Sequence, residues 1–128
     1  MYHFILILLF ASYQGFSQGI YFQGKEYFIN GINLPWKNFG WDFGEHPDYG
    51  EGYDSTYFEQ CFANLAAHNV NCVRFWIHCD GRASPNFDNK GFVSDLDSNF
   101  FHHLDDFFSR AEQHNLMVIP TLWSHDIG

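Results

Sequence analysis

The six residues from Val73 to His78, VRFWIH, limit the possible folds of this chain more than any other segment. Successive side chains of an extended strand point to opposite faces, so the segment divides into two faces. One face is apolar and consists of Val73, Phe75 and Ile77. The other carries a fixed cation, an indole and an imidazole, from Arg74, Trp76 and His78. A strand with one apolar and one chemically active face is typical of catalytic barrels, in which strand ends build the site.

Two strand-rich runs near the N-terminus predict a β-hairpin. Ile20–Phe22 and Tyr27–Ile29 flank a four-residue turn, QGKE, that contains glycine. The second run continues to Leu34 and stops at Pro35. A loop rich in glycine, aspartate and aromatic residues follows, from Trp36 to Asp54. Because loops of this length in compact domains usually carry function, we expect this one to contribute to a site.

The first predicted helix runs from Thr56 to Asn69. Thr56 and Glu59 have the spacing of a capping box, and Asn69 is a plausible helix stop. Apolar residues recur at the spacing of one helical face, at Phe58, Cys61, Phe62, Leu65 and Ala66. The segment is therefore predicted to pack one face against a core.

A second helix is predicted after the strand Val70–Ile77 and a loop from His78 to Asp97. Asp97 or Ser98 is its expected cap, and it extends to about His114. Its predicted apolar stripe consists of Phe101, Leu104, Phe107 or Phe108, and Ala111. Asn115 ends it, and a third strand is predicted over Met117–Trp123.

The order of these elements, β-loop-α, β-loop-α, β, predicts parallel strands joined by right-handed crossovers. A doubly wound sheet and a (β/α)8 barrel both fit this order. The long loops all follow strands, whereas the connections from helix to strand are short. That asymmetry favours the barrel, where function is built on the loops that follow strands.

Length and charge exclude some classes of protein. The 128 residues suffice for one small domain, and their formal net charge is −9. A strongly acidic chain is a poor partner for nucleic acid or an anionic membrane surface, so we expect neither. Nothing in the sequence predicts a protein partner.

The N-terminus predicts secretion. Residues 4–11, FILILLFA, form an apolar run too short to span a bilayer, and small residues follow it at Gly15 and Ser17. We therefore expect a signal peptide over residues 1–17, cleaved after Ser17, and one domain over residues 18–128. Of the three cysteines, Cys61 falls on the apolar helix face, whereas Cys72 and Cys79 are too far apart along an extended segment for a disulfide.

Three segments resemble glycoside hydrolase family 5. Phe28–Trp36, FINGINLPW, followed by Asp42-Phe43-Gly44, resembles the first strand and loop of that family. Arg74–His78 with the downstream Gly81, Pro85, Phe87 and Gly91-Phe92-Val93 resembles the second strand and loop of its animal endo-β-mannanases, the molluscan type in particular. Pro120–Trp123, PTLW, resembles the third strand. The resemblance covers nearly the whole chain after residue 17.

The resemblance implies the N-terminal portion of a (β/α)8 TIM barrel, with about three βα units behind an N-terminal β-hairpin. It also implies a retaining enzyme that cleaves β-1,4-linked mannan without metal or organic cofactor. Arg74 matches the family's arginine beneath the nucleophilic carboxylate, and a guanidinium there keeps the carboxylate ionised. Asn33 and His78 are expected to support the active site by hydrogen bonding. The expected sugar contacts are Trp36, Trp76, Trp123 and His125, although Trp76 fits a core role equally well.

The two catalytic glutamates of the family, the general acid and the nucleophile, are expected beyond Gly128, the last residue of the sequence. Retaining glycosidases need two carboxylates about 5–5.5 Å apart, which the family places on its fourth and seventh strands. The five glutamates of this sequence fall elsewhere, in the predicted hairpin, the first loop and the helices, at Glu26, Glu45, Glu51, Glu59 and Glu112. We therefore expect a chain truncated at its C-terminus that is inactive on its own.

Three alternative functions remain open. A cellulase or another β-glucanase of the same family fits the same motifs. A metal-dependent barrel hydrolase would use His78 and His125, since imidazole and carboxylate groups suit zinc. A non-catalytic relative would bind sugar in the cleft without cleaving it.

Overall fold

The computed structural model describes residues 19–22 and 24–124. The expected signal peptide with its cleavage position at Ser17, and the C-terminal residues His125 to Gly128, lie outside them. In chain order the elements are β1 (Ile20–Phe22), β2 (Lys25–Tyr27), β3 (Gly31–Asn33), β4 (Glu45–His46), β5 (Gly50–Glu51), α1 (Ser55–Ala67), β6 (Cys72–Cys79), β7 (Asn86–Phe87), β8 (Val93–Asp95), α2 (Phe100–Gln113) and β9 (Met117–Trp123).

Strand β6 is the centre of a parallel three-stranded sheet. It pairs with β3 on one side and β9 on the other, in the order β3-β6-β9. Helices α1 and α2 form the crossovers between successive strands of this sheet and contact each other. The predicted α/β fold with parallel strands is confirmed.

The alternation predicted for β6 is also confirmed, but the strand boundaries differ. The strand begins at Cys72 rather than Val70 and continues to Cys79. Val73, Phe75 and Ile77 are buried, while the residues between them are half-buried. Both terminal cysteines of β6 are buried, one at each end of the strand. The sheet therefore covers its apolar face with helices and presents the other face for chemistry.

The core beneath β6 is built from phenylalanine rings. The Phe107 ring of α2 lies 4.8 Å from that of Phe75 and 5.1 Å from those of Phe58 and Phe62, measured between ring centroids. Phe43, from the loop after β3, adds a further edge contact to Phe107 at 5.4 Å. These five rings are fully buried. Their mutual packing, mostly edge-to-face, fixes the two helices against the sheet.

The predicted caps of both helices are wrong. Asp54, not Thr56, caps α1, because its carboxylate accepts the N–H of Tyr57 at 2.9 Å. Glu59 instead pairs with α2, at 3.1 Å from Arg110. Helix α2 begins at Phe100, and its cap residue Asn99 makes no side-chain capping bond.

The apolar face of α2 agrees with the prediction at Leu104, Phe107 and Ala111 and differs only at its first position. Phe100, Phe107 and Ala111 are buried, whereas Phe101 is 62% exposed. Both helices do end as predicted, since Asn69 and Asn115 follow them with φ values of 60° and 55°. Asparagine tolerates this left-handed backbone better than most residues, so it ends a helix without glycine.

The N-terminal hairpin forms with a shorter turn than predicted. Phe22 pairs with Lys25, so two residues connect β1 and β2 in place of four. The chain then leaves the hairpin, and β3 joins the parallel sheet beside β6. The long loops contain two further hairpins, β4–β5 and β7–β8, which the sequence did not predict.

Strands β6 and β9 pair with one irregularity. Trp76 lies opposite Thr121, but Cys79 lies opposite Trp123, so β6 contains one extra residue between the two pairs. Such a bulge bends a strand and redirects the side chains that follow. It lies at the carboxyl end of β6, where the candidate site begins.

Replacing Phe107 with alanine tests this core. We expect Phe107→Ala to lower the free energy of unfolding by about 3–5 kcal/mol, because it leaves a cavity among four rings. Urea denaturation followed by circular dichroism measures the loss. Phe101→Ala on the same helix is the matched control and should change stability by less than about 0.5 kcal/mol, since that ring is exposed. Equal losses in the two variants would contradict this description of the core.

Candidate functional site

The candidate site lies on the face of β6 opposite the phenylalanine core. Arg74, Trp76 and His78 alternate along this face and are half-buried. Asn33 pairs with Arg74 across the β3–β6 ladder, and paired residues in neighbouring strands point to the same face. We call this surface, with Trp36 and Trp123 at its ends, the cleft face.

Arg74 is held by two contacts. Its Nε donates a hydrogen bond to the Thr121 hydroxyl oxygen at 3.0 Å, and its guanidinium carbon lies 3.9 Å from the centre of the Trp76 ring. A guanidinium over an indole face gains a cation–π attraction that is larger when water is excluded. The bond to Thr121 uses Nε, and the two terminal nitrogens are chemically suited to a forked pair with a carboxylate.

Trp36 is brought to the cleft face by a chain of ring contacts. Its ring lies 6.2 Å from Trp76 and 4.7 Å from Phe39. Phe39 in turn receives the Arg82 guanidinium at 5.0 Å, and Arg82 Nε donates to Asp80 at 2.6 Å. The loop after β3 and the loop after β6 therefore hold each other in place around Trp36.

His78 is packed between two aromatic rings. Its ring stacks on Phe100 at 5.5 Å with an interplanar angle of 12° and lies 4.8 Å from Trp123. Its Nδ1 is 3.2 Å from the hydroxyl of Ser84, which is buried. Burial lowers the pKa of His78 below its ordinary value of 6.5, so the ring is neutral at pH 7. A neutral imidazole can donate or accept one hydrogen bond to a sugar hydroxyl or a carboxyl group.

Backbone hydrogen bonds continue the parallel ladder past the end of β3. The N–H of Leu34 donates to the Arg74 carbonyl at 3.0 Å, and the N–H of Trp76 donates to the Pro35 carbonyl at 3.1 Å. These bonds hold the chain alongside β6 as far as Pro35. Trp36 follows directly, so its position is tied to the sheet.

Six of the seven predicted site residues come together on this face, namely Asn33, Trp36, Arg74, Trp76, His78 and Trp123. The seventh, His125, lies outside the described residues. Sequence reasoning missed Thr121, although the alternation along β9 places it on the same face as Trp123. It also missed Phe39 and Arg82, whose contact joins two loops distant in sequence and leaves no local signal.

The five glutamates lie on other elements. Glu26 is in β2, Glu45 and Glu51 face each other in the β4–β5 hairpin, and Glu59 and Glu112 are on the helices. Glu51 is already paired with His103 at 3.0 Å, and Glu59 with Arg110. The arrangement of the described residues therefore offers Arg74 and its neighbours as supporting groups, without a carboxylate pair beside them.

The position of the catalytic glutamates stays a prediction. They are expected beyond Gly128, and Gly128 itself lies outside the described residues, which end at residue 124. Each of the five glutamates among the described residues lies on an element away from the cleft face.

Asp42 is buried in the loop after β3 and makes a local turn, as is common for aspartate in such loops. Its carboxylate accepts the backbone N–H groups of Lys37 and Asn38, the shortest at 3.0 Å. Burial raises the pKa of Asp42 to about 7, against the opposing effect of these hydrogen bonds. Asp42 thus organises the loop that carries Trp36.

Neither a metal cluster nor a membrane span occurs in the described part of the chain. Within residues 19–22 and 24–124, no three His, Cys, Asp or Glu side chains come together in an arrangement that could hold a metal ion. Among the same residues, no helix is both long enough and apolar enough to cross a bilayer.

Comparison with known proteins shows similarity to β-mannanases. The chain is 33% identical over 103 residues to a mannan endo-1,4-beta-mannosidase of Mytilus edulis and 28% identical over 129 residues to one of Cryptopygus antarcticus. These alignments cover 80% and 93% of this chain but 27% and 33% of the relatives, so the chain spans about a third or less of their length. No protein-family model matches.

Solved structures give the same result. The β-mannanase of Mytilus edulis matches with a TM-score of 0.73 at 30% identity, over 82% of this chain and 29% of the enzyme. The endo-1,4-beta-mannanase of Eisenia fetida matches with a TM-score of 0.67 at 33% identity, over 79% of this chain and 28% of that one. The predicted resemblance to animal β-mannanases is confirmed, and through it the resemblance to glycoside hydrolases.

The raised pKa of Asp42 predicts how the free energy of unfolding depends on pH. The folded state binds a proton at Asp42 more tightly than the unfolded state, so the contribution of Asp42 to the free energy of unfolding should fall as pH rises from about 4 to about 7. Asp42→Asn cannot titrate and should lack this fall.

Urea denaturation of both proteins across this pH range measures the difference. The advantage of the wild type over Asp42→Asn should shrink by at most about 1.4 kcal/mol per pH unit. His78 titrates in both proteins, so its effect cancels in the comparison. Parallel pH profiles for the two proteins would contradict the assigned pKa shift.

Proposed function

We propose that this chain forms part of the sugar cleft of a secreted, retaining endo-β-1,4-mannanase of glycoside hydrolase family 5. The observation that carries the proposal is the arrangement of the cleft face. Trp36, Trp76 and Trp123 lie along one face of the sheet, with Arg74 and His78 between them. The similarity to mannan endo-1,4-beta-mannosidases supports the choice of substrate.

The parallel sheet is interpreted as the first three strands of a (β/α)8 barrel. Long loops follow β3 and β6, and the site residues lie at the carboxyl ends of the strands, where such barrels build their active sites. A barrel of this kind takes about 250 residues. The edges of β3 and β9 carry exposed apolar side chains, among them Ile32, Ile119 and Leu122, which suit further packing in a larger barrel.

The tryptophans are proposed to position the sugar. One face of a pyranose ring presents C–H groups, which pack against the flat surface of an indole. The Trp36 and Trp123 side chains reach the sheet from two different segments, so a polysaccharide chain lying across it would meet an aromatic surface at each end. Asn33 and His78 then supply hydrogen bonds that orient hydroxyl groups.

Arg74 is proposed to act on the nucleophile. A retaining mechanism needs one carboxylate ionised for attack on the sugar and a second carboxylic acid to protonate the leaving oxygen. The guanidinium, fixed by Thr121 and Trp76, would stabilise the ionised nucleophile by charge and by forked hydrogen bonds. Neither carboxylate belongs to the cleft face described above, and both are proposed to come from parts of the barrel outside the region that this chain shares with its relatives.

Binding of mannohexaose tests the cleft. We expect the indole N–H resonances of Trp36, Trp76 and Trp123 to shift in nuclear magnetic resonance spectra as the sugar is added. Trp123→Ala should weaken the affinity roughly tenfold, because it removes one stacking surface. Phe101→Ala, which removes an exposed ring on α2, should leave the affinity unchanged. Tighter binding of cellohexaose than of mannohexaose would favour the β-glucanase alternative instead.

Hydrolysis gives a second test. The 128-residue chain is expected to release no reducing sugar from β-mannan, because the cleft face lacks the pair of carboxylates that the mechanism needs. A complete β-mannanase acting on the same substrate preparation is the positive control. Release of reducing sugar by the purified chain would show that the catalytic acids are among its own residues and would refute this assignment.

A further inference from the structure

A second concave surface lies outside the cleft face. It is a cavity of about 700 Å³ formed by the loop after β3 and the start of α1. Its lining includes Lys37, Asn38, Trp41, Tyr49, Gly52 and Asp54. It shares no lining residue with the cleft face, so the proposed function gives it no role.

One wall of this cavity is an aromatic platform. The Tyr49 ring stacks on Trp41 at 5.3 Å with an interplanar angle of 29°, and on His46 at 4.7 Å with an angle of 28°. Tyr49 is nonetheless 71% exposed. Tyr49 therefore covers two half-buried rings at the surface, outside the phenylalanine core, and its own exposed ring leaves aromatic surface available to a ligand.

The platform is rigidly supported. The hairpin β4–β5 pairs His46 with Gly50 and holds Tyr49 at its tip. Trp41 packs so closely on Gly52 that a Cβ at position 52 would collide with the Trp41 ring and its carbonyl oxygen. The Asn38 side-chain amide donates to the Gly52 carbonyl at 2.7 Å, which fixes the two segments together. A platform fixed in this way loses little conformational entropy when it binds a ligand.

The charged groups that line the cavity already have hydrogen-bond partners. Lys37 Nζ lies 2.6 Å from Asp54 Oδ2, and this contact lowers the pKa of Asp54, so the carboxylate is ionised beside the ammonium at neutral pH. The Glu51 carboxylate is 3.0 Å from His103 Nε2 and accepts a hydrogen bond from Asn99 at 3.1 Å. Because each of these charged groups is engaged by a neighbouring side chain, the chemistry of the cavity suits a neutral ligand that stacks on rings and exchanges hydrogen bonds.

We propose that this cavity is a second carbohydrate site, which binds a neutral β-1,4-linked oligosaccharide on the Trp41–Tyr49 platform. The ligand class rests on the proposed function, because a polymer engaged at the cleft face supplies further sugar units to a nearby surface. Trp36 belongs to the cleft face, and Lys37, the next residue, lines the cavity. The second site would hold the polymer near the cleft and raise the local concentration of substrate.

The four tryptophans allow ligand binding at the two sites to be monitored separately. Trp41 reports on the cavity, and the other three, Trp36, Trp76 and Trp123, report on the cleft face. Each indole N–H resonance is assigned by its loss in a Trp→Phe variant. Mannohexaose is then titrated into the wild-type chain, with maltohexaose as an α-linked control.

A saturable shift of the Trp41 resonance with mannohexaose, and none with maltohexaose, is the expected result. Tyr49→Ala should weaken this binding roughly tenfold and leave the shifts of the cleft tryptophans unchanged. Trp123→Ala should weaken binding at the cleft face and leave the shift of the Trp41 resonance unchanged. Because Tyr49 is exposed, its substitution is not expected to unfold the chain, and circular dichroism of the variant checks this.

The outcomes separate the two proposals. Shifts confined to the cleft tryptophans would overturn the second site and leave the proposed function intact. A shift of Trp41 alone would support the second site and count against the cleft. Equal shifts with maltohexaose would show unselective stacking and would overturn the assigned ligand class, and no shift at any tryptophan would overturn both proposals.

Discussion

The contact between Phe75 of β6 and Phe107 of α2 is the constraint from which the rest of the structure follows. The two rings lie 4.8 Å apart within a cluster of fully buried phenylalanines. Because side chains alternate along a strand, fixing Phe75 inward fixes Arg74 and Trp76 outward. The core therefore sets the orientation of Arg74 and Trp76, and at His78 it also contacts the cleft face directly, through the ring of Phe100. A shift of one residue in the register of β6 would exchange the two faces and remove both the core and the site.

The site depends on pairs of groups from separate segments. Thr121 of β9 holds Arg74, and Arg82 in the loop after β6 supports Phe39 in the loop after β3. Each pair joins parts of the chain that the parallel sheet brings together. The sheet therefore does more than support the loops, because it determines which of their side chains can meet.

The sequence predicted those features that rest on local periodicity. The alternation of β6, the order of strands and helices, and the helix stops at Asn69 and Asn115 all depend on a few neighbouring residues. The shared face of Arg74, Trp76 and His78 was predicted from the same alternation, whereas Asn33, Trp36 and Trp123 were proposed from the resemblance to family 5. The start of α1 was missed because Asp54, the residue directly before the helix, caps it in place of Thr56.

Other features could not be predicted from a local sequence pattern. Phe100 and Phe101 are both apolar and adjacent, and packing against Phe43 decides that Phe100 is buried. The strands of two or three residues in the long loops are too short to leave a periodic signal.

The extra residue of β6 between Trp76 and Cys79 separates the strand into two parts that pair with β9 in different registers. Burial alternates from Val73 to Cys79, so an insertion before Trp76 is expected to exchange the two faces of the paired region. Past the bulge, Trp123 lies opposite Cys79, a residue of the buried face, and its ring reaches His78. The bulge thus lets the carboxyl end of β6 shift against β9 while the paired region up to Trp76 keeps its register with the core.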